Sequence, residues 1–338
     1  MTLYAAIDLH SNNHYLCVID GKDKRLFEAK FDNDASLTIQ ALKPFKRRLE
    51  AIAIESTFNW YWLADALMEA GFEVQLVNTA KVIQYEGLKR TDDKYDAFFL
   101  AHLMRLGILP TGYISPVEQR GLRDLLRRRM RLVQDRTRYI NSLNTQYQRQ
   151  TGLHLSCNKI NSKLFRLPVV GDLNVQLAMK ANLNMSKALK VQIKLLEKSI
   201  MSQVKECSEF NLLKTTNGIG DVLAETILLE TGDINRFNSP GNYASYCRCV
   251  DSCKSSNGKK KGVGNRKNGN KYLAWAFIEA ANFAIRYNAK AKKFYECKKR
   301  KTNNVIALKA LAHKLSRACY YIMKQGVPFD ESKIFGRV

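Results

Sequence analysis

Two apolar runs decide the fold, Leu3-Tyr4-Ala5-Ala6-Ile7-Asp8-Leu9 and Tyr15-Leu16-Cys17-Val18-Ile19. They flank the polar turn Ser11-Asn12-Asn13. Two short apolar runs around a polar turn predict an antiparallel β-hairpin. Asp8 lies inside the first run, where a carboxylate is costly to bury unless it is paired or bound to a metal. The hairpin therefore predicts both the start of a sheet and a candidate functional acid.

Working outward, further strand and helix signals alternate along the chain. Leu26–Phe31 predicts a third strand, and Ala51–Ile54 and Val74–Val77 are short buried-strand patterns. Leu37–Leu49 has helical spacing, and Trp60–Ala70 is a helical pattern that stops at a glycine. Three strands followed by alternating helices and strands predict an α/β domain of ribonuclease-H-like fold, an antiparallel hairpin edge joined to parallel strands.

The remainder of the chain has mainly helical patterns. Gly152–Asn184 is polar and predicts irregular structure. Met185–Cys207 has apolar residues three and four apart, which suits a helical hairpin or a coiled-coil seam; these are Leu189, Ile193, Leu196, Ile200 and Val204. We expect the α/β domain in residues 1–150, a helical, coiled-coil segment in 151–210 and a mainly α-helical domain in 211–338.

The charge balance is strongly positive. The chain has 55 Lys+Arg against 31 Asp+Glu, a net charge of +24, which favours a polyanionic partner such as nucleic acid. Arg120–Arg149 predicts a long helix with nine arginines against only Asp124 and Asp135. A solvated helix face is the alternative explanation, but the single sign of the charge favours phosphate contact. The candidate contacts on this helix are Arg127, Arg128 and Arg131.

Carboxylates are unexpected in so basic a chain unless a cation neutralises them. Glu55 ends a buried strand, and Asp93 and Asp96 are three residues apart, which places them on one face of a helix. Together with Asp8 they predict a site for two Mg²⁺ ions. The alternatives are that Asp93 caps the helix and Asp96 interacts with its dipole, or that Asp92 replaces Asp93 in the cluster.

A second candidate region is basic and contains serines. No acid occurs between Ser252 and Ile278, whereas seven basic residues fall between Lys254 and Lys271. One interpretation is a flexible basic loop that grips phosphate. The other gives a serine hydroxyl a nucleophilic role, with the cations stabilising the charge that develops on a transferring phosphoryl group. The candidate phosphate contacts are Lys259, Lys260, Lys261, Arg266, Lys267 and Lys271.

A Gly-Ile-Gly turn precedes the apolar helix pattern Val222–Glu230. Gly218 and Gly220 are candidates for phosphate contact, because such a turn exposes backbone N–H groups at the start of a helix, as in half of a helix-hairpin-helix. The alternative is that the glycines only form a tight corner.

The composition also argues against several classes of protein. The apolar stretches are far shorter than the roughly 20 residues of a membrane span, and no signal peptide is evident, so we expect a cytoplasmic, nucleoid-associated protein with reduced thiols. Cys247, Cys249 and Cys253 are close together. Their spacing is not that of a zinc site, so we interpret them as ordinary buried thiols.

Short motifs stand out at both ends of the chain. The N-terminal ones contain the acids and are Ala6-Ile7-Asp8-Leu9-His10, Ile54-Glu55-Ser56 and Thr91-Asp92-Asp93-Lys94-Tyr95-Asp96-Ala97. The C-terminal ones are Thr216-Asn217-Gly218-Ile219-Gly220, Gly232-Asp233-Ile234-Asn235-Arg236-Phe237 and Ser256-Asn257-Gly258 leading to Arg266-Lys267-Asn268-Gly269-Asn270-Lys271-Tyr272-Leu273. They resemble the acidic motifs and the C-terminal transposase domain of the DEDD transposases of insertion sequences, a family also described as bridge-RNA-guided recombinases. The similarity extends from Leu3 to Phe329.

The resemblance implies an N-terminal domain like that of the RuvC junction resolvases, a coiled-coil segment and a C-terminal domain with a catalytic serine. It implies that Asp8, Glu55, Asp93 and Asp96 bind Mg²⁺, and that Ser256 attacks a DNA phosphate to form a covalent phosphoserine link. It also implies a structured guide RNA that selects donor and target DNA, and dimers that pair into tetramers. Two departures occur: the usual proline before the glycine turn is Asn217, and the serine is doubled, which leaves Ser255 as an alternative.

Three functions compete at this point. An RNA-guided serine recombinase is the first. A metal-dependent junction resolvase or nuclease, in which the serine only grips phosphate, is the second. A basic scaffold without enzymatic activity, whose acids merely cap helices, is the third.

Overall fold

A computed structural model describes residues 1–82, 92–162, 164–250, 254–262 and 268–336. The backbone divides into two compact units, Met1–Val117 with Ser252–Asn268 and Glu118–Asp251 with Gly269–Val338. The segment that carries Ser256 therefore belongs to the same unit as the N-terminal acids, although Ser256 follows even Asp96 by 160 residues along the chain.

The first unit is α/β. Its strands are β1 (Leu3–Leu9), β2 (Asn13–Asp20), β3 (Arg25–Asp32), β4 (Leu49–Glu55), β5 (Val74–Val77), β6 (Lys254–Ser256) and β7 (Lys259–Gly262). Its helices are α1 (Ala35–Leu42), α2 (Tyr61–Glu69) and α3 (Asp93–Arg105). The single helix predicted over Leu37–Leu49 is wrong, because Pro44 lies in a short 3-10 turn that ends α1 and Leu49 already belongs to β4.

Among the described residues, β1 to β5 form one sheet in the order β3-β2-β1-β4-β5. β2 is antiparallel to both β1 and β3, whereas β4 is parallel to both β1 and β5. This mixed five-stranded sheet with its helices confirms the predicted ribonuclease-H-like fold of the N-terminal region.

The sheet is buried on both faces, which explains why its central strands are apolar runs. One face, with Leu3, Ile7 and Ile54, packs in a core with residues of α1 and α2. The other face, with Ala6 and Ala53, packs with residues of α3. Because side chains alternate along a strand, Asp8 and Glu55 point to the same face as Ala6 and Ala53, the face that α3 covers.

The second unit is helical. It comprises α4 (Val117–Thr151), α5 (Cys157–Asn161), α6 (Leu173–Val204), α7 (Ser208–Lys214), α8 (Asp221–Thr231), α9 (Pro240–Tyr246), α10 (Lys271–Tyr287), α11 (Ala289–Lys301), α12 (Asn304–Gln325) and α13 (Glu331–Phe335). The largest core cluster of this unit contains the fully buried Tyr243 and Phe277. The mainly helical C-terminal region is thus confirmed.

Helices α4 and α6 pack side by side in opposite directions. Arg129 on α4 binds Glu197 on α6, with Nε 2.9 Å from Oε1, and Asn182 on α6 donates to Gln146 on α4 at 3.0 Å. The predicted apolar stripe lies on the packed side, where Ile193, Ile200 and Val204 are buried. The prediction of irregular structure over Gly152–Asn184 is wrong in its second half, because Asp172 caps the start of α6. Within the described part of the chain, no helix combines the length and apolar character that a membrane span requires.

Candidate metal centre and nucleic-acid interface

Asp8 and Glu55 lie on neighbouring parallel strands. Ile7 of β1 is paired with Ile54 of β4, so the next residue of each strand is a carboxylate. Asp8 is only 2% exposed, and Glu55 is the last residue of β4 and half-buried. The alternation of the strands and their parallel register therefore bring these two predicted acids together on one face of the sheet.

The first turn of α3 supplies the remaining acids. Asp92 is the N-cap, and its carboxylate accepts a hydrogen bond from the backbone N–H of Tyr95 at 2.8 Å. Asp93 and Asp96 then lie in the first helical turn. The capping role belongs to Asp92, which is exposed, and not to Asp93, so the cap alternative does not account for the position of Asp93.

The acids strongly influence one another. Burial, a hydrogen bond with the Asp8 carboxyl and the charges of Asp8 and Asp96 raise the pKa of Glu55 to about 8. Burial and the neighbouring carboxylates of Asp8, Asp93 and Asp92 also raise the pKa of Asp96. The acids therefore disfavour one another's charged forms, and a cation among them would restore those forms.

Two carboxylate oxygens of this cluster are buried without a hydrogen bond from any described residue, Asp8 Oδ2 and Asp96 Oδ1. Leaving such an atom unsatisfied is unfavourable, so a native fold that retains two of them has a reason outside ordinary packing. Hard oxygen donors in a cluster of this charge fit a divalent cation such as Mg²⁺. Asp8, Glu55, Asp93 and Asp96 are the residues that would hold it.

His10 is a member of this cluster that the sequence analysis did not assign. Its Nε2 lies 3.2 Å from Asp8 Oδ2 and 3.3 Å from Asp93 Oδ1, and Lys30 Nζ lies 3.7 Å from Asp93 Oδ2. His10 is thus close enough to Asp8 for an ion pair, although no hydrogen bond joins the two. The sequence signal for His10 is its position on a turn, two residues after Asp8.

Ser255 and Ser256 lie on a β-hairpin and not on a flexible loop as one interpretation had it. Ser256 is paired with Lys259, and the two residues between them, Asn257 and Gly258, both have positive φ, 51° and 71°. Two left-handed residues form a type I′ turn, which the pair Asn-Gly favours strongly. Both serines are exposed on this hairpin.

The arginines of α4 differ in their environment. The guanidinium of Arg127 donates to both carboxylate oxygens of Glu230, at 2.6 and 2.8 Å, and lies 4.8 Å from the centre of the Tyr272 ring. Glu230 is 4% exposed and also accepts a hydrogen bond from Asn270 at 2.8 Å. Arg127, predicted as a nucleic-acid contact, is therefore engaged inside the helical unit, whereas Arg128 and Arg131 are exposed.

The remaining predicted phosphate contacts are only partly within the described residues. Lys259, Lys261 and Lys271 are exposed. Arg266, Lys267 and the side chain of Lys260 lie outside the described residues, as does Cys253. Cys247 and Cys249 are buried in the helical core, and burial raises the pKa of the Cys249 thiol to about 12.

The two glycines of the Gly-Ile-Gly turn have different surroundings. Gly218 has φ +102°, and a Cβ there would lie 2.6 Å from the carbonyl oxygen of Ala280 and 2.7 Å from the nitrogen of Ala284, so it permits close packing against α10. Gly220 is the N-cap of α8, and a Cβ there would meet no atom within 4 Å. Of the two, Gly220 leaves space for a phosphate at the helix start.

A ribonuclease-H-like sheet with clustered carboxylates, in a strongly basic chain, defines a class of nucleic-acid-processing enzymes. Residues 5–149 match the family described as the DEDD transposase of IS110, and residues 210–296 match the transposase family of IS116, IS110 and IS902. A comparison with curated proteins gives no match.

The chain therefore belongs to the IS110 family of DEDD transposases. It is a DNA transposase or recombinase of an insertion sequence, and its substrates are DNA. Membership of this family also suggests that the enzyme depends on a divalent metal, which agrees with the chemistry of the acidic cluster.

Proposed function

We propose that this transposase is an RNA-guided, Mg²⁺-dependent recombinase in which Ser256 forms a covalent link to DNA. The observation that carries the proposal is that the acidic cluster and the exposed Ser256 belong to one compact unit. A nuclease that hands the phosphate to water needs the acids but has no use for a serine displayed in this way.

The reaction follows from the groups at the site. The Oγ of Ser256 gives up its proton and forms a bond to a DNA phosphorus, and the bond from that phosphorus to one deoxyribose oxygen breaks. This oxygen takes up a proton and leaves as a hydroxyl, so no proton is gained or lost overall. Divalent cations held by the acids would stabilise the negative charge that develops during the transfer. Because the ester is exchanged and not hydrolysed, a deoxyribose hydroxyl of another strand can reverse the step and rejoin the DNA.

The two serines of the hairpin can be distinguished. Neighbouring side chains of a strand point to opposite faces, so Ser255 and Ser256 face in opposite directions. Only one of them can face the phosphate that is being attacked. Ser256 directly precedes the Asn-Gly turn, as in the family motif, and we assign the nucleophile to it.

An RNA guide fits the surface of the protein. The chain has an excess of exposed basic side chains, among them Arg128, Arg131, Lys259 and Lys261, that suit a phosphate backbone. No base-reading pattern stands out along the sequence. We propose that a structured RNA pairs with donor and target DNA while the protein recognises shape and backbone, and that the complex works at the nucleoid.

A second copy of the chain is the proposed partner of α6. Leu177, Ala181, Asn184, Ala188, Val191 and Leu195 are all exposed and follow one another at spacings of four and three residues. This is the heptad spacing of a coiled coil, and a polar Asn within such a stripe fixes the register of the partner helix. The stripe differs from the apolar one that faces α4, and it supports a dimer through α6, two of which would form the synaptic tetramer.

The test is covalent capture of DNA on a denaturing gel. In the presence of Mg²⁺ and guide RNA, wild-type protein should retain labelled DNA after denaturation, and Ser256→Ala should retain none while RNA binding persists. Ser255→Ala is the matched control and should retain DNA as the wild type does. Free DNA ends without any adduct in the wild type would instead identify a metal-dependent nuclease or junction resolvase. Loss of the adduct in Ser255→Ala alone would move the nucleophile to Ser255.

The guide is tested by the RNA that accompanies the purified protein. We expect one discrete RNA whose sequence lies beside the transposase gene in the insertion sequence. A mixture of unrelated cellular RNA, or recombination that proceeds without RNA, would contradict an RNA guide.

A further inference from the structure

We propose that His10 is a ligand of the metal centre through Nε2. One of the cation sites then has both nitrogen and oxygen ligands, and its preference for Mn²⁺ over Mg²⁺ is stronger than that of a site with oxygen ligands alone. This inference rests on the proposed metal dependence, and it adds a residue outside the four acids. Among the described residues, Asp8, His10 and Asp93 are the group of potential ligands whose donor atoms all lie within 4.8 Å of one another.

The distances match the edges of a coordination octahedron. With metal–ligand bonds of about 2.0–2.1 Å, two adjacent ligands of an octahedral ion are about 3 Å apart. Nε2 of His10 is 3.2 Å from Asp8 Oδ2 and 3.3 Å from Asp93 Oδ1, so both pairs have the separation of adjacent ligands. The three atoms can therefore approach one ion with little movement.

A separate observation also points to a ligand. Asp8 Oδ2, the oxygen nearest to His10, is buried and has no hydrogen bond from any described residue. If His10 served only to neutralise Asp8, a hydrogen bond between the two would be the expected arrangement. The nitrogen and the oxygen instead lie 3.2 Å apart without a hydrogen bond between them, a separation that two ligands of a shared ion would also have.

The backbone of His10 is held firmly, which is what a ligand on a turn requires. Its carbonyl oxygen accepts hydrogen bonds from the side-chain amides of Asn33 and Asn59, both at 3.1 Å, and its N–H donates to the carbonyl of Asn13 at 2.9 Å. The imidazole itself is about half-exposed, with 44% of its side-chain surface accessible, so it is free to approach an ion. Fixed ligand positions favour tight and specific metal binding.

The cluster then divides into two groups that share Asp8. Glu55 and Asp96 are both partly buried and form the group on the buried side. His10 and Asp93 are on the more open side, where the side chain of Asp93 is 43% exposed. The buried side offers only oxygen, which suits Mg²⁺, whereas imidazole nitrogen adds affinity for transition metals.

The experiment is Mn²⁺ binding to the full-length protein, followed by electron paramagnetic resonance. Mn²⁺ is added alone, and pulsed spectra report any ¹⁴N nucleus bonded to it. We expect ¹⁴N modulation in the wild type and its loss in His10→Gln, which offers an amide oxygen in place of the nitrogen. The Mn²⁺ affinity of His10→Gln should fall at least about tenfold, since even residues that only orient a ligand alter affinity by about 10–100-fold.

The control is His154→Gln, which removes an exposed histidine of the helical unit and should keep both the modulation and the affinity of the wild type. Bound Mn²⁺ without ¹⁴N modulation in the wild type, modulation that persists in His10→Gln, or no Mn²⁺ binding at all would each overturn the assignment. The adduct assay distinguishes failure of this inference from failure of the proposed function. A protein that captures DNA with Mg²⁺ but binds Mn²⁺ through oxygen alone would contradict only the role of His10.

Discussion

Two regions of the molecule bury carboxylates, and they treat them in opposite ways. Glu230 in the helical unit receives two hydrogen bonds from Arg127 and one from Asn270. Asp8 in the α/β unit is buried to a similar degree, yet one of its oxygens has no hydrogen bond from the residues that the structure describes, and other carboxylates lie near it. A carboxylate whose oxygens accept hydrogen bonds stabilises the fold, whereas a cluster of carboxylates with unpaired oxygens is typical of a binding site.

The difference also explains which basic residues remain for DNA. Arg127 is used to neutralise Glu230 and is only partly exposed, whereas Arg128 and Arg131 are exposed. Within the described part of the chain, no arginine forms an ion pair with the acidic cluster, and the basic neighbours of Asp93 are His10 and Lys30. Glu230 is therefore neutralised within the protein, whereas the acids of the cluster remain for the proposed cation.

The largest expected effect is the difference in adduct formation between variants of Asp96, an acid of the cluster, and of Asp92, the neighbouring helix cap. Asp96→Asn should lower adduct formation at least about a hundredfold, the scale on which losing one electrostatic stabiliser of a transition state acts. Asp92→Asn should change it less than about threefold, because Asn also caps helices and Asp92 is exposed. Single-turnover rates of adduct formation measure both. Equal losses in the two variants would mean that Asp92 belongs to the site.

The satisfied carboxylate should affect stability and not chemistry. Glu230→Ala removes the partner of Arg127 and should lower the free energy of unfolding by about 2–3 kcal/mol, less than for a fully buried pair because Arg127 keeps some contact with solvent. Urea unfolding followed by circular dichroism measures the change. The Mg²⁺ concentration for half-maximal adduct formation should stay at its wild-type value, and a shift in it would connect Glu230 to the metal centre.

Glu225 on α8 is a buried carboxylate of the helical unit that, unlike Glu230, has an unpaired oxygen among the described residues. It is 2% exposed, its Oε2 has no hydrogen bond from a described residue, and burial raises its pKa to about 7, against 4.5 in the unfolded chain. The folded state therefore binds more protons than the unfolded state between these values, and the stability falls as the pH rises from about 4.5 to about 7.

Glu225→Gln should remove this dependence and raise the free energy of unfolding at pH 8 by on the order of 2 kcal/mol, with little change at pH 4. Unfolding curves at the two pH values give the result. If the variant gains nothing at pH 8, Glu225 has a functional role like that of the acidic cluster, and its unsatisfied oxygen marks a binding site.

The smallest effect concerns the exposed arginines of α4. Arg128→Ala and Arg131→Ala should each reduce the slope of log affinity against log salt by about 0.7–0.9, the contribution of one phosphate contact. Filter binding of RNA and of DNA at several salt concentrations measures it. Arg127→Gln, assayed below its unfolding temperature, should leave the slope unchanged. A reduced slope in that variant would show that the pair with Glu230 opens to bind nucleic acid.

The sequence predicted those parts of the site that depend on local pattern. Strand β1 begins and ends where its apolar run does, and the approach of Asp8 and Glu55 follows from alternation in two parallel strands. The turn at Asn257-Gly258 has a local signal as well, because the pair Asn-Gly favours a hairpin turn. The start of α6 also has one, because Asp172 is a good cap and apolar residues recur through Leu173–Asn184.

Other features could not be predicted from local pattern, because they depend on residues far apart in the chain. Arg127 and Glu230 are 103 residues apart, so nothing near Arg127 indicates that it is engaged. The same holds for the inclusion of the Ser256 segment in the unit of the acids, since backbone contacts and not sequence order define that unit. Residue types indicate what a site can do, whereas the fold determines which residues take part.

The most direct test of the central claim, that the unsatisfied acids await a metal, is the stability of wild type and Asp8→Asn with and without Mg²⁺. Without metal, Asp8→Asn should be the more stable protein, because it removes a charge from a repulsive cluster. Added Mg²⁺ should stabilise the wild type increasingly with its concentration and should leave Asp8→Asn unchanged. A metal-free Asp8→Asn that is less stable than the wild type, with the same response to Mg²⁺ in both, would contradict the account.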